Sequence, residues 1–269
     1  MKHWKNGTRM AILYAALSVF VGCSSQQTSD ASDGKGSRKV QEAATIPVSV
    51  RKKEEPLKYN GQIRKVVYLT FDDGPGPETD QVLDILKLNN IHATFFVMGP
   101  HAKQYKEFLQ REVQEGNYVG MHSMTHDYKK LYIQGDFVSE MKETQQIIKQ
   151  ITNIEPHLLR PPYGSMPGLT QKLRDQVADA HFKVWDWTID SLDWKYNKVP
   201  FSSSVPAIVN NVLSQANRNL EVVLLHDIHP QSIQALPIII QKLKEKGYEF
   251  ETYNEQEHFM LNFWHDNRL

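Results

Sequence analysis

From residue 61 onward, short runs rich in β-branched and aromatic residues alternate with segments of helical periodicity. VVYLTFD (66–72), HATFFVMG (92–99), YVGMH (118–122), HLLRPPYG (157–164), FKVWDWTID (182–190), EVVLLHDI (221–228) and YEFETY (248–253) read as strands. Between them, 78–90, 103–116, 137–153, 169–180, 206–216 and 233–247 read as helices, the first with Val82, Leu83, Ile85 and Leu86 at helical intervals. About seven strands separated by helices predict a single α/β domain built on a mostly parallel sheet. A closed or nearly closed barrel fits this pattern best, and an open doubly wound sheet is the alternative. Either architecture collects reactive groups at the C-terminal ends of its strands.

The polar residues obey that rule. Asp72 and Asp73 end the first run, His122 ends the third with His126 four residues on, and Arg160 and Tyr163 end the fourth. Asp190 and Asp193 follow the fifth, and His226 and Asp227 end the sixth. In a parallel barrel these lie on one rim.

Two imidazoles and one carboxylate make an N2O donor set that suits zinc or another first-row divalent metal, with positions left for water. Imidazole ligands disfavour calcium, which takes oxygen donors. HSMTH (122–126) alone is weak evidence, since two histidines four apart commonly form a solvated helix face. DDG (72–74) alone reads as a turn with a local side-chain bond. Together they divide the labour of adjacent acids: one carboxylate binds a metal and the other stays free to take a proton from water. A nearby cation also relieves the repulsion between them. His226 adds a group able to carry a proton near neutral pH.

TFDDG (70–74), HSMTH (122–126), RPPYG (160–164), DSLDW (190–194) and LLH (224–226) resemble the five motifs of the polysaccharide deacetylase family, the NodB-homology group or carbohydrate esterase family 4, in the family's order. The resemblance spans about residues 61–255. It implies a distorted (β/α) barrel and metal-dependent removal of acetyl groups from a polysaccharide. Carried over by residue, it implies Asp72 as general base and Asp73, His122 and His126 as metal ligands. It implies Arg160 as the partner that positions the base, and the Tyr163 backbone N–H as oxyanion donor. Asp193 then pairs with His226, the general acid, and Trp194 and Leu224 wall the acetyl pocket. The implied cofactor is one divalent ion, Zn2+ first, with Co2+, Ni2+ or Mn2+ as alternatives.

The N-terminal region sets the expected location. Lys2, Lys5 and Arg9 precede an apolar run, 10–22, too short for an ordinary membrane span, and Cys23 follows as the sole cysteine. This resembles a bacterial lipobox, with Phe20 where Leu is usual. Residues 1–23 are therefore expected to be an export signal ending in a lipid-anchored Cys23, which puts the protein on the outer face of a bacterial cell membrane. With one cysteine no disulfide can form within the chain. Residues 24–45 are nearly devoid of large apolar side chains, RKKEEP follows at 51–56, and 24–60 read as a flexible tether, leaving 61–269 as the catalytic domain.

Lys+Arg and Asp+Glu are equal at 31 each, so nothing favours nucleic acid as a partner. The leading expectation is N-deacetylation of a GlcNAc-containing polymer, peptidoglycan above all given the location. Chitin oligomers, poly-N-acetylglucosamine and acetylated xylan are the alternative substrates. A non-catalytic glycan-binding module is an alternative of another class, but a binder needs neither Asp72 nor His226. A glycosidase needs two carboxylates flanking one bond, which the adjacent pair does not supply. Nothing in the sequence fixes the oligomeric state.

Overall fold

The computed structural model describes residues 58–59 and 62–269. The expected export signal and all but the end of the expected tether lie outside the described residues. At that end, β1 (Lys58–Tyr59) pairs antiparallel with β2 (Gln62–Ile63), so a short ladder straddles the expected boundary at residue 60. No helix among the described residues is long and apolar enough to cross a membrane.

β3 (Lys65–Asp72) is the central strand. Its side chains alternate between two faces, as the pleat requires. Val67, Leu69 and Phe71 pack toward the helices, while Val66 and Tyr68 join Phe96, Trp185 and Val222 in a second apolar cluster inside the curl of the sheet. Burial on both faces is why the strand reads as an almost unbroken apolar run. α1 (Thr79–Leu88) follows, burying Val82, Leu83 and Leu86, and leads to β4 (Thr94–Val97), α2 (Gly99–Gln104) and α3 (Lys106–Gln114). β5 (Tyr118–Met121), α4 (Phe137–Thr152), β6 (Leu158–Leu159), α5 (Gln171–Asp179), β7 (Lys183–Val184) and β8 (Ile189–Asp190) come next. α6 (Phe201–Gln215), β9 (Leu220–His226), α7 (Pro230–Glu245) and β10 (Tyr248–Glu251) complete the domain.

All pairings in the main sheet are parallel, in the order β7-β6-β5-β4-β3-β9-β8. One side of β3 is shared: β10 pairs with its first half (Tyr248↔Lys65) and β4 with its last residues (Asp72↔Phe96). The two end strands belong to one stretch, 183–190. Its first half pairs with β6 (Leu158↔Lys183) and its second with β9 (Ile189↔Val223). That stretch joins the two edges, and the sheet is a distorted barrel rather than an open doubly wound one.

Several elements depart from the sequence reading for local reasons. The expected strand 157–164 keeps two residues in the ladder, because Pro161 and Pro162 have no N–H to donate. The expected strand 182–190 divides where it changes neighbours. The expected helix 103–116 is two helices that meet at Tyr105, whose backbone (φ −117°, ψ 46°) is not helical. The expected helix 206–216 begins earlier, at Phe201, and accommodates Pro206 in its second turn.

Candidate active site

Period-2 alternation along β3 puts Asp72 on the inner face above Tyr68 and Thr70. The same parity along β9 puts Leu224 and His226 on the inner face. The register Asp72↔His226 sets the two residues side by side at the strand ends.

Asp72 is buried, and its Oδ1 accepts a 2.8 Å hydrogen bond from Arg160 Nη1. Arg160 is fully buried, and its planar fork is used on every side. It donates to Thr70 Oγ1 (2.6 Å) and to the carbonyls of Trp185 (3.0 Å) and Asp186 (2.8 Å), with its guanidinium 4.3 Å from the Phe96 ring centre. Burial raises the Asp72 carboxyl above the ordinary carboxylate range, with the Arg160 charge pulling the other way. A raised pKa makes Asp72 a stronger base.

Asp73 leaves the strand with a left-handed backbone, φ 73°. Adjacent acids therefore point to different places. Asp73 Oδ1 lies 3.4 Å from His122 Nε2 and 3.7 Å from His126 Nε2. His122 Nδ1 lies 2.8 Å from the Arg160 carbonyl, which can only accept, so Nδ1 carries the proton and Nε2 turns a lone pair toward Asp73. Burial lowers the His122 pKa to about 3, which keeps the ring neutral, as a ligand must be. Asp73, His122 and His126 each offer one ligand atom, all within 4.8 Å of one another. Asp73 Oδ1 is buried and has no hydrogen-bond partner. A carboxylate oxygen left unpaired between two imidazole nitrogens is what a divalent cation would satisfy, so the donor set fits a metal.

The turn beyond Asp73 is tightly packed. The Thr79 hydroxyl donates to buried Asp227, and a Cβ on Gly74 would lie 2.3 Å from both Asp227 carboxylate oxygens. His101 Nδ1 is 2.6 Å from the Asp73 carbonyl and holds the same turn from the other side.

On the next strand, His226 Nδ1 is 2.7 Å from Asp193 Oδ1. Asp193 is fully buried and accepts three further bonds: from Trp194 N (2.8 Å), His226 N (2.8 Å) and Ser232 Oγ (2.6 Å). Burial opposes a charge on His226, but the Asp193 carboxylate outweighs it, Asp73 and Asp72 add to it, and the pKa rises to about 10. Asp193 moves down in turn: burial resists, and the facing imidazolium and the donated bonds prevail. His226 Nε2 faces the cleft, 4.0 Å from Asp73 Oδ2.

These groups border a cleft of about 460 Å³. Every strand-end or motif residue singled out from the sequence lines it except Arg160 and Asp193, which are buried behind Asp72 and His226, and Asp227, which is buried beneath the turn at Gly74. Tyr163, left-handed at φ 67°, sets its ring edge-on to His126 with centroids 4.6 Å apart, and its hydroxyl donates to the His126 carbonyl (2.7 Å). Trp194 is half exposed at the rim, and Leu224 is buried at the floor. Trp187 also lines the cleft and was not singled out. The signal was there: alternation along WDW puts Trp185 and Trp187 on one face, with Asp186 on the other. Asp186 turns away to accept from Ser165 N (2.8 Å) and Phe263 N (2.6 Å), tying the RPPYG loop to the C-terminal segment.

A family model described as polysaccharide deacetylase matches residues 60–185. The peptidoglycan-N-acetylglucosamine deacetylase of Bacillus cereus is 54% identical over 230 residues, which are 86% of this chain and 84% of that protein. The chain belongs to the polysaccharide deacetylase family. Another relative of this deacetylase, the peptidoglycan-N-acetylmuramic acid deacetylase PdaC of Bacillus subtilis, is 39% identical over 206 residues, 76% of this chain and 41% of that one. Among solved structures, a Bacillus cereus polysaccharide deacetylase superposes with a TM-score of 0.76 at 57% identity, covering 77% of this chain and all of that one. The barrel expected from the alternating pattern is thus the barrel of the deacetylase fold.

Proposed function

We propose that this deacetylase hydrolyses the N-acetyl group of N-acetylglucosamine in peptidoglycan, releasing acetate and a free amine. The observation that carries the reading is the convergence of three kinds of group in one cleft. A carboxylate base (Asp72), a metal-ligand set with an unpaired oxygen (Asp73, His122, His126) and a cationic imidazole (His226) meet there. The two Bacillus relatives whose names specify peptidoglycan supply the substrate class.

Asp73, His122 and His126 are the residues that would hold a divalent cation, Zn2+ on the chemistry of the donor set, and a cation bound there supplies Lewis acidity at the acetyl carbonyl. The protein's own groups do the rest. Asp72, held by Arg160, takes the proton of the attacking water as the C–O bond forms. The Tyr163 backbone N–H donates to the oxygen that gains charge. His226 gives its Nε2 proton to the sugar nitrogen as the C–N bond breaks, so that an amine leaves rather than an amide anion. Asp193 keeps His226 cationic until then. Leu224 and Trp194 exclude water around the acetyl methyl group.

The site of action follows from the substrate and from residues 10–23: the protein works outside the cell, anchored by lipid on Cys23. Acetate release by the full-length protein tests the activity on peptidoglycan, GlcNAc oligomers, poly-N-acetylglucosamine and acetylated xylan, with and without chelator. The expected outcome is acetate from peptidoglycan that stops with chelator and returns with Zn2+. Release from acetylated xylan alone, or release indifferent to chelator, would overturn the reading.

A further inference from the structure

The two histidines of HSMTH are held differently. His122 follows directly on β5, with its N–H bonded to the Val97 carbonyl (2.9 Å) and its ring to the Arg160 carbonyl. His126 stands four residues further on, in a loop. Two residues of that loop, Ser123 (φ 79°) and His126 (φ 51°), adopt the left-handed backbone that side chains disfavour. Such a loop keeps its shape only if something outside it fixes it.

Glu140 does so. It lies in the first turn of α4, is buried, and is absent from the cleft lining. Its Oε2 accepts from the backbone N–H of Met124 (3.0 Å) and of Thr125 (2.9 Å). The Thr125 hydroxyl lies within bonding distance of both carboxylate oxygens, 2.8 Å and 3.0 Å. Within the loop, Ser123 Oγ accepts from His126 N (3.1 Å). α4 is itself pinned by fully buried Phe137, Met141 and Ile148, so the carboxylate is presented from a rigid support. A charge at this position of a helix ordinarily faces water or serves its own helix terminus. Here every hydrogen bond of the carboxylate goes to the loop between the two imidazoles.

We propose that Glu140 is a positioning residue for the metal site: by clamping Met124 and Thr125 it sets where His126 stands relative to His122 and Asp73. The inference rests on the reading that those three residues hold a divalent cation. It predicts which replacement is tolerated. In Glu140→Gln the amide oxygen can take the place of Oε2 and receive both backbone N–H groups, while the amide NH2 donates to a reoriented Thr125 hydroxyl. Glu140→Met keeps helix propensity and approximate volume but offers the loop no comparable acceptor.

The test is Zn2+ affinity of the full-length protein by competition with a chromophoric chelator, together with the visible spectrum of the Co2+-loaded protein and the metal-free melting temperature. Glu140→Met should weaken Zn2+ binding roughly 10–100-fold and alter the Co2+ spectrum, as loss of a group that orients a ligand does. Glu140→Gln should stay within about threefold of wild type, because the two backbone bonds persist. Glu140→Met binding Zn2+ as tightly as wild type would overturn the proposal. So would Glu140→Gln losing as much as Glu140→Met, since charge rather than loop geometry would then be at work. If Glu140→Met does not fold, Glu140→Ala decides, since it too removes the acceptor of both backbone N–H groups: weaker Zn2+ binding supports the clamp and unchanged binding refutes it. A wild-type protein whose Zn2+ binding is indifferent to His126→Ala would overturn the metal reading itself, and the clamp with it.

Discussion

Replacing Asp193 by Asn should shift the alkaline limb of the pH–rate profile to lower pH. The His226 pKa is raised from 6.5 to about 10 against the pull of burial, and the Asp193 carboxylate is the largest cause of the rise. A cation on Asp73 cancels the share owed to Asp73 and Asp72 but leaves that of Asp193, 2.7 Å from Nδ1. Without the carboxylate, burial acts unopposed and the imidazole should titrate at or below its ordinary value. The sign is fixed by the role: the reaction needs His226 protonated, so a lower pKa removes activity from the alkaline side inward. At pH 7.5, a fall to about 6.5 leaves roughly a tenth of the molecules with a protonated acid, and kcat/KM should drop about tenfold from this cause alone. A second effect is structural. Asp193 accepts from His226 N and Ser232 Oγ on one oxygen and from Trp194 N on the other, so an amide NH2 must face at least one buried backbone donor. That should cost roughly 1–3 kcal/mol of stability, visible as a lower Tm. The assay is kcat/KM for acetate release from a soluble GlcNAc oligomer between pH 5 and about 10. A profile that loses height while its alkaline limb stays put would refute the reasoning. It would mean that Asp193 orients His226 without setting its charge, or that the limb belongs to another group.

Asp72→Asn should retain bound metal and lose turnover, whereas Asp73→Asn should lose the metal; equal metal loss in both, measured by elemental analysis, would refute the division of labour between the adjacent acids. The acidic limb of the same profile should fall as pH drops through the Asp72 pKa, which burial raises and which the Arg160 charge and a cation held by Asp73 lower. Gly74→Ala should lower stability by roughly 1–3 kcal/mol, read as a Tm drop of several degrees, because its Cβ would meet the Asp227 carboxylate; an unchanged Tm would show that the turn can move aside. Cys23→Ala should abolish fatty-acid labelling of the full-length protein, and persistent labelling would remove the proposed anchor.

The barrel was legible because buried parallel strands leave nearly continuous apolar runs, as in VVYL before Asp72. What periodicity does not encode is which neighbour a strand pairs with. FKVWDWTID reads as one strand, yet it pairs with β6 and then with β9, and that exchange closes the barrel. The break at Tyr105 was invisible because both flanking segments keep helical spacing. Pro206 read as a helix start, whereas the first turn actually forms over Phe201–Ser204, where backbone donors bond back to Pro200. In the cleft, residues whose chemistry is conspicuous at strand ends, such as Asp72, His122 and His226, could be read directly. Glu140 could not: a glutamate in a polar-periodic helix has the signature of a solvated charge, and only the fold shows that its partners are the N–H groups of Met124 and Thr125. Trp187 was passed over because an aromatic in a strand ordinarily means core.

The guanidinium of Arg160 also bears on the order in which the molecule can be assembled. It joins Asp72, 88 positions earlier in the chain, to the carbonyls of Trp185 and Asp186 in the stretch that closes the barrel. The base therefore acquires its full surroundings only when β3, β6 and the closing stretch are all in place. A chain emerging N-terminus first carries Asp72 and Asp73 long before the residues that orient them, and until then the two acids repel each other without a counter-charge. Catalytic competence is thus a late acquisition, coincident with ring closure, and a nascent or partly unfolded chain has no functional fragment of this site to expose.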